Sequence, residues 1–155
     1  MPRSPLLATV DLGSNSFRLQ ICAVEEGQLR IVDSIKEMVR FAAGLDENKN
    51  ITVDAQQRAL KCLSRVGQRL AGFKPEQGRV VATNTFRVAR NIASFLPQAE
   101  EALGFPVEII AGREEARLIY LGVKHTHPPT NDNTLVVAIG GGSASYTPLR
   151  AHERY

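Results

Sequence analysis

Apolar and polar positions alternate along the first forty residues. Phe17, Leu19, Ile21 and Ala23 share one face of FRLQICAVE, and Leu29, Ile31, Asp33 and Ile35 continue the period of two through QLRIVDSIKEMVRF, as half-buried strands do. The apolar run LLATVD precedes them, and the connections LGSNS and EEGQ are built of turn residues, so the pattern predicts three strands joined as antiparallel hairpins. Residues 42–53 are polar and irregular. From Asp54 the period lengthens, and Ala59, Cys62, Leu63, Val66, Leu70 and Phe73 form a helical stripe ended by Gly72 and Pro75. RVVAT at 79–83 reads as a buried strand. A second helix from Thr85 turns Ala89, Ile92, Ala93, Leu96 and Leu103 inward, with a kink or break expected at Pro97, and VEII follows as a strand. Gly112 precedes a third helix with Ala116, Ile119, Tyr120 and Val123 on one face, and HTHPPTNDN reads as a loop before the strand TLVVAI. An antiparallel beginning followed by alternating helices and strands predicts an α/β protein with a mixed sheet flanked by helices.

Composition narrows the class. A chain of 155 residues with 43% apolar and 23% charged positions suits a globular fold with one principal core and excludes wholesale disorder. No apolar run approaches the ~20 residues of a membrane helix, and the amino-terminal run is too short for a secretory signal, so no membrane partner and a cytoplasmic location are expected. Cys22 and Cys62 are isolated and lie at apolar-periodic positions, which predicts buried, free thiols in a reducing compartment. The net charge is only +3, the basic residues are scattered, and aromatics are 6% without Trp, which argues against a nucleic-acid partner.

The candidate chemistry lies in an internal echo. Val10-Asp11-Leu12-Gly13-Ser14-Asn15-Ser16 ends one apolar strand and Val137-Ala138-Ile139-Gly140-Gly141-Gly142-Ser143 ends another, with Gly13 matching Gly140 and Ser16 matching Ser143. Turns of Gly, Ser and Asn let several backbone N–H groups and hydroxyls converge on a phosphate, with glycine admitting positive φ. An acidic residue at the strand end can hold a divalent cation against that phosphate. Either turn alone equally fits an ordinary hairpin; the pair favours phosphate. Neither matches the P-loop or dinucleotide fingerprints.

Four runs in order, Asp11 to Arg18, Ala82-Thr-Asn-Thr-Phe-Arg87, Gly112-Arg-Glu-Glu-Ala-Arg117 and Ile139-Gly-Gly-Gly-Ser143, resemble the exopolyphosphatase and guanosine pentaphosphate phosphohydrolase (Ppx/GppA) family over about residues 6–143. The resemblance implies a ribonuclease H-like lobe of the actin, Hsp70 and sugar-kinase ATPase kind. It implies magnesium-dependent release of terminal orthophosphate from inorganic polyphosphate, or of the 5′ phosphate from guanosine pentaphosphate. It places phosphate binding on Asp11, Gly13, Ser14, Asn15, Ser16 and Arg87 and on Gly140, Gly141, Gly142 and Ser143. It also places metal binding on Asp11, the catalytic glutamate on the Glu114-Glu115 pair with Glu115 favoured, and weaker substrate contacts on Arg18 and Arg40. Without the resemblance, Glu114 and Glu115 read as solvated first-turn acids, Arg87 as a surface charge, and His125 and His127 as exposed loop residues without a role.

Two departures qualify that picture. The family's second loop follows an aspartate, but Ala138 stands there, so magnesium binding is expected to be weakened or lost. The family also carries a second lobe that closes the cleft. The expected division is a first lobe over 1–133, the first strand and phosphate loop of a truncated second lobe over 134–143, and a disordered tail outside the family pattern over 144–155. An inactive amino-terminal lobe of a phosphohydrolase is then the leading expectation. A non-catalytic phosphate- or polyphosphate-binding or interaction module is the alternative. A sugar-kinase-like relative is less favoured because of the Glu-Glu-Ala-Arg run. Exposed apolar edges of TLVVAI could also pair two copies as a homodimer.

Overall fold

The computed structural model describes residues 4–127 and 134–149. Strands β1 (Leu6–Leu12), β2 (Phe17–Glu25) and β3 (Gln28–Glu37) form an antiparallel meander, and β4 (Gly78–Ala82) and β5 (Val107–Ile109) join it in parallel. The sheet order is β3-β2-β1-β4-β5, the predicted mixed sheet. Glu26 and Gly27, both at positive φ, close the β2–β3 hairpin as a two-residue turn of the kind whose twist matches the strands.

Helix α1 (Val53–Leu70) is capped by the Thr52 hydroxyl, which accepts from the Ala55 N–H. Its predicted stripe from Ala59 to Leu70 is buried, and Phe73 packs against the same core. The alternate β2 residues Phe17, Leu19, Ile21 and Ala23 are likewise buried. The β3 pattern fails outwardly, because the strand lies at the sheet edge and Leu29 and Ile31 stay exposed; Val32 is the extra residue where the β2–β3 register shifts.

The expected second helix is two helices, α2 (Asn84–Val88) and α3 (Ile92–Leu103), and the break lies at Ala89–Asn91 instead of Pro97. Asn91 is committed there to a reciprocal side-chain pair with the Ile51 backbone. Within α3, Phe95, Ala99 and Leu103 are the buried residues, whereas Ala93 faces solvent. Helix α4 (Gly112–Thr126) extends through His125 into the segment expected as a loop; residues 128–133 of that segment lie outside the described residues.

A separate hairpin follows, β6 (Thr134–Ile139) with β7 (Ala144–Leu149), packed against α4. Strand β7 corrects the expectation of a disordered tail from residue 144. Pairing along the whole of β6 supplies the order that local alternation did not signal, and Pro148 is compatible with an edge strand. Residues 150–155 lie outside the described residues.

Beneath the β1–β2 turn, Phe17, Phe41, Phe86 and Phe95 form one aromatic cluster with ring centroids 5.0–6.3 Å apart. Phe17 follows that turn directly, Phe41 lies beside the backbone that straps it, and Phe86 belongs to α2. The core therefore fixes three separate segments at one end of the sheet.

Candidate phosphate-binding and catalytic site

The echoed turns are the same structure twice. Each is a four-residue connection in which the first residue's N–H donates to the fourth residue's carbonyl, Gly13 to Ser16 at 3.2 Å and Gly140 to Ser143 at 2.8 Å. The correspondence extends down both hairpins. Leu12 pairs with Phe17 as Ile139 pairs with Ala144, and Asp11 with Arg18 as Ala138 with Ser145. Ala138 thus occupies the register position of Asp11 in the second hairpin.

The two turns meet tip to tip. A Cβ on Gly141 would stand 2.8 Å from Asn15 Cβ, and one on Gly142 would stand 2.8 Å from Ser14 Oγ. None of these loop glycines adopts positive φ; among the described glycines that conformation belongs to Gly27, Gly72 and Gly104. At Gly141 and Gly142 another chain segment occupies the space a side chain would fill, whereas Gly13 and Gly140 face the carbonyl of their own turn's fourth residue. Close approach and not positive φ is therefore the reason for glycine at 141 and 142, and the expected reason is corrected.

Around the first loop the backbone is tied on both sides. Arg40 N–H donates to Asn15 O at 2.7 Å and Ala42 N–H to Ser14 O at 2.8 Å. Thr85 Oγ1 donates to Ser14 Oγ at 2.7 Å in a buried setting, and Asn84 Nδ2 donates to Gly142 O at 2.9 Å. Asn84 and Thr85 were missed as site residues. Their signal was the polar pair in ATNTFR, from which sequence reasoning took only Arg87.

Between the loops and α4 lies a cavity of about 420 Å³ bordered by Asp11, Ser14, Ser16, Glu115 and both glycine turns, with Leu118 and Ile119 as an apolar wall. Glu115 faces this cavity, whereas Glu114 pairs with Arg117 at 2.7 Å away from it, and that pairing holds the Glu114 carboxyl below its ordinary value. Arg87 reaches the cavity through Glu115, donating to Glu115 Oε2 at 3.0 Å and to Ile110 O at 2.8 Å. That ion pair is only 23% and 20% exposed at its two side chains, so water screens it less than the surface pairs.

Asp11 opens to the cavity, yet the surrounding walls withdraw enough water to push its carboxyl above the ordinary 3.8. The Glu115 charge pushes the same way, and Arg18, its cross-strand neighbour, pulls back. Arg18 and Arg40 do not border the cavity, and Arg40 is exposed with its contact to the first loop made by backbone. Cys22 and Cys62 are free, but only Cys62 is buried, because Cys22 lies on the β2 face opposite Ile21 and Ala23. Burial followed by the Glu37 charge pushes the Cys62 thiol up to about 12, so it stays protonated.

The acidic side chains on the cavity are Asp11 and Glu115, and Ala138 has no side-chain oxygen. No group of three or more metal-ligating side chains gathers among the described residues. This donor set fits Mg²⁺ in the manner of sites that use one or two carboxylates and leave the remaining positions to water and substrate phosphate.

A mixed five-stranded sheet with paired glycine turns over a shared cavity defines the class: a ribonuclease H-like lobe of the actin and Hsp70 type. The sequence profile of the Ppx/GppA phosphatase family matches residues 20–153, and the chain belongs to that family. The Ppx/GppA phosphatase of Aquifex aeolicus superposes with a TM-score of 0.80 at 28% identity, covering 96% of this chain and 49% of that one. An exopolyphosphatase from Cytophaga hutchinsonii gives 0.87 at 26% identity, covering 96% and 47%. An exopolyphosphatase-like protein gives 0.83 at 30% identity, covering 94% and 45%. The chain thus spans about half the length of these structures. The family match extends past residue 143, which corrects the boundary expected there. No helix among the described residues is long and apolar enough to cross a membrane.

Proposed function

We propose that this chain binds the terminal phosphate of inorganic polyphosphate or guanosine pentaphosphate between its two glycine turns, as a lobe of a phosphoanhydride hydrolase. The observation that carries the reading is the meeting of two register-matched turns over a cavity that also holds Glu115. Ser14, Asn15 and Ser16 from one turn and Gly140 to Ser143 from the other would supply N–H and hydroxyl donors to the phosphate oxygens. Glu115 would orient and deprotonate the attacking water. Arg87 would stabilise charge on the phosphate and position Glu115. Asp11 would hold Mg²⁺, whose contribution when bound is to neutralise phosphate charge. Glu114, facing away from the cavity, would take no part.

Ala138 favours a second reading, in which the 155-residue chain binds phosphate without turnover, because its second hairpin lacks the acid its first one has. Orthophosphate release from long-chain polyphosphate and from guanosine pentaphosphate, with Mg²⁺, separates the two. Release that Glu115→Gln abolishes and Glu114→Gln leaves intact supports the hydrolase reading. Polyphosphate binding without release supports the module, and neither binding nor release would remove both.

A further inference from the structure

Two side chains outside the cavity lining hold the two turns, Thr85 fully buried and Asn84 half-buried. Thr85 is 1% exposed, and its hydroxyl has one partner among the described residues, Ser14 Oγ at 2.7 Å. Burial decides the direction of that bond. If Ser14 donated to Thr85, the Thr85 proton would be left without an acceptor inside the core, a costly state for a buried polar group. Thr85 therefore donates, and Ser14 Oγ accepts. A serine hydroxyl has a single proton, and that of Ser14 is left for an acceptor on the cavity side, where Ser14 forms part of the wall. The contact converts Ser14 from a group of either polarity into a directed donor, which is what a phosphate oxygen requires.

Asn84 acts on the opposite turn. Its Nδ2 donates to the Gly142 carbonyl at 2.9 Å. The C=O and N–H of a trans peptide point in opposite directions, so fixing this carbonyl turns the Ser143 N–H away from α2. The glycine at 142 is needed for the same approach, since a Cβ there would stand 2.9 Å from Asn84 Nδ2. Asn84 and Thr85 are consecutive, and the aromatic cluster anchors Phe86 beside them.

We propose that Asn84 and Thr85 are positioning residues for an oxyanion held between the two turns: Thr85 directs the Ser14 hydroxyl proton into the site, and Asn84 fixes the Gly142–Ser143 peptide. The inference rests on the phosphate-binding reading above and adds to it the residues that set donor polarity.

The test is calorimetric titration of the 155-residue chain with inorganic tripolyphosphate and Mg²⁺, for the parent, Thr85→Val, Thr85→Ser and Asn84→Asp. Loss of one directed bond to a charged acceptor should weaken binding about tenfold in Thr85→Val. Thr85→Ser, which restores the hydroxyl but not the methyl, should bind within about twofold of the parent. Asn84→Asp sets a carboxylate against the Gly142 carbonyl and should weaken binding while speeding amide exchange in residues 140–143, with residues 13–16 unchanged. Parent-like binding by Thr85→Val, or a Thr85→Ser variant as weak as Thr85→Val, overturns the role of Thr85, because the latter result makes it one of packing. Unchanged exchange and affinity in Asn84→Asp overturn the role of Asn84. A parent that binds no tripolyphosphate overturns the phosphate reading itself, and this inference with it; binding by the parent with unaffected variants overturns the inference alone.

Discussion

The β1–β2 and β6–β7 hairpins share a register and a turn hydrogen bond, yet their surroundings differ at almost every contact. Ala8, Val10 and Leu12 on β1 are at most 3% exposed, whereas the residues at the matching positions of β6, Leu135, Val137 and Ile139, are 59%, 56% and 85% exposed. The first turn is tied by two backbone bonds from residues 40 and 42 and by Thr85; the second is tied to the rest of the lobe by Asn84. The first hairpin carries Asp11, and the second carries Ala138. The turn geometry is common to both hairpins, while rigidity comes from what surrounds each turn and acidity from the residue its own strand carries at the matching register position. A phosphate bridging the two would join a preformed half-site to one held by few contacts, so binding should order the second turn more than the first.

The comparison breaks most readily at the strand faces. Leu12→Ala removes a fully buried side chain and should cost about 2–5 kcal/mol of stability, whereas Ile139→Ala should cost less than about 0.5 kcal/mol, as read by urea unfolding. Equal losses would mean that the β6 face is covered in solution, and a concentration-dependent loss would identify a second copy as the cover.

The turns themselves provide a finer contrast. A Cβ at Gly13 would meet Ser16 O at 3.0 Å, but at Gly140 the matching distance is 3.4 Å. Gly13→Ala should therefore destabilise by about 1–3 kcal/mol, and Gly140→Ala by under about 0.5 kcal/mol. Comparable melting temperatures for the two variants would show that the first turn yields as easily as the second.

The smallest expected effect concerns the acid present in one hairpin and absent from the other. Because the Asp11 carboxyl is raised in the folded state, this group favours folding below its ordinary 3.8 and opposes it as pH climbs through the raised value. Asp11→Asn should accordingly be slightly more stable than the parent at pH 7, with the gap closing as pH falls toward 3.8. A gap that widens on acidification would reverse the assigned sign.

Much of the fold was legible because it depends on periodicity. The β2 face and the α1 stripe were written in full, and the strand-turn echo exposed a repeat whose register the structure matches pair for pair. Legibility ended where the deciding partner was distant. Leu29 and Ile31 have the spacing of core residues but lie on an edge strand with nothing over them. Pro97 has the chemistry of a helix breaker, yet the chain breaks six to eight residues earlier, where Asn91 is engaged with Ile51. Residues 144–149 lack an alternating pattern of their own and become a strand by pairing with β6. In the site, the glycines, Arg87 and the Glu114-Glu115 pair were visible, but the choice between the glutamates was not visible from spacing alone, since adjacent positions on a helix differ by about 100° in direction.

The sequence by itself determined the elements, the repeated turn and the types of group available to a phosphate, because these follow from local propensity and from periods of two and 3.6 residues. The tertiary structure alone decided that Gly141 and Gly142 serve close approach and not positive φ and that Asn84 and Thr85 hold the two turns, and it turns Glu115, already favoured by the resemblance, toward the cavity. Those outcomes depend on which segments meet across 58 or 71 residues of chain, a meeting that local propensity and periodicity do not encode.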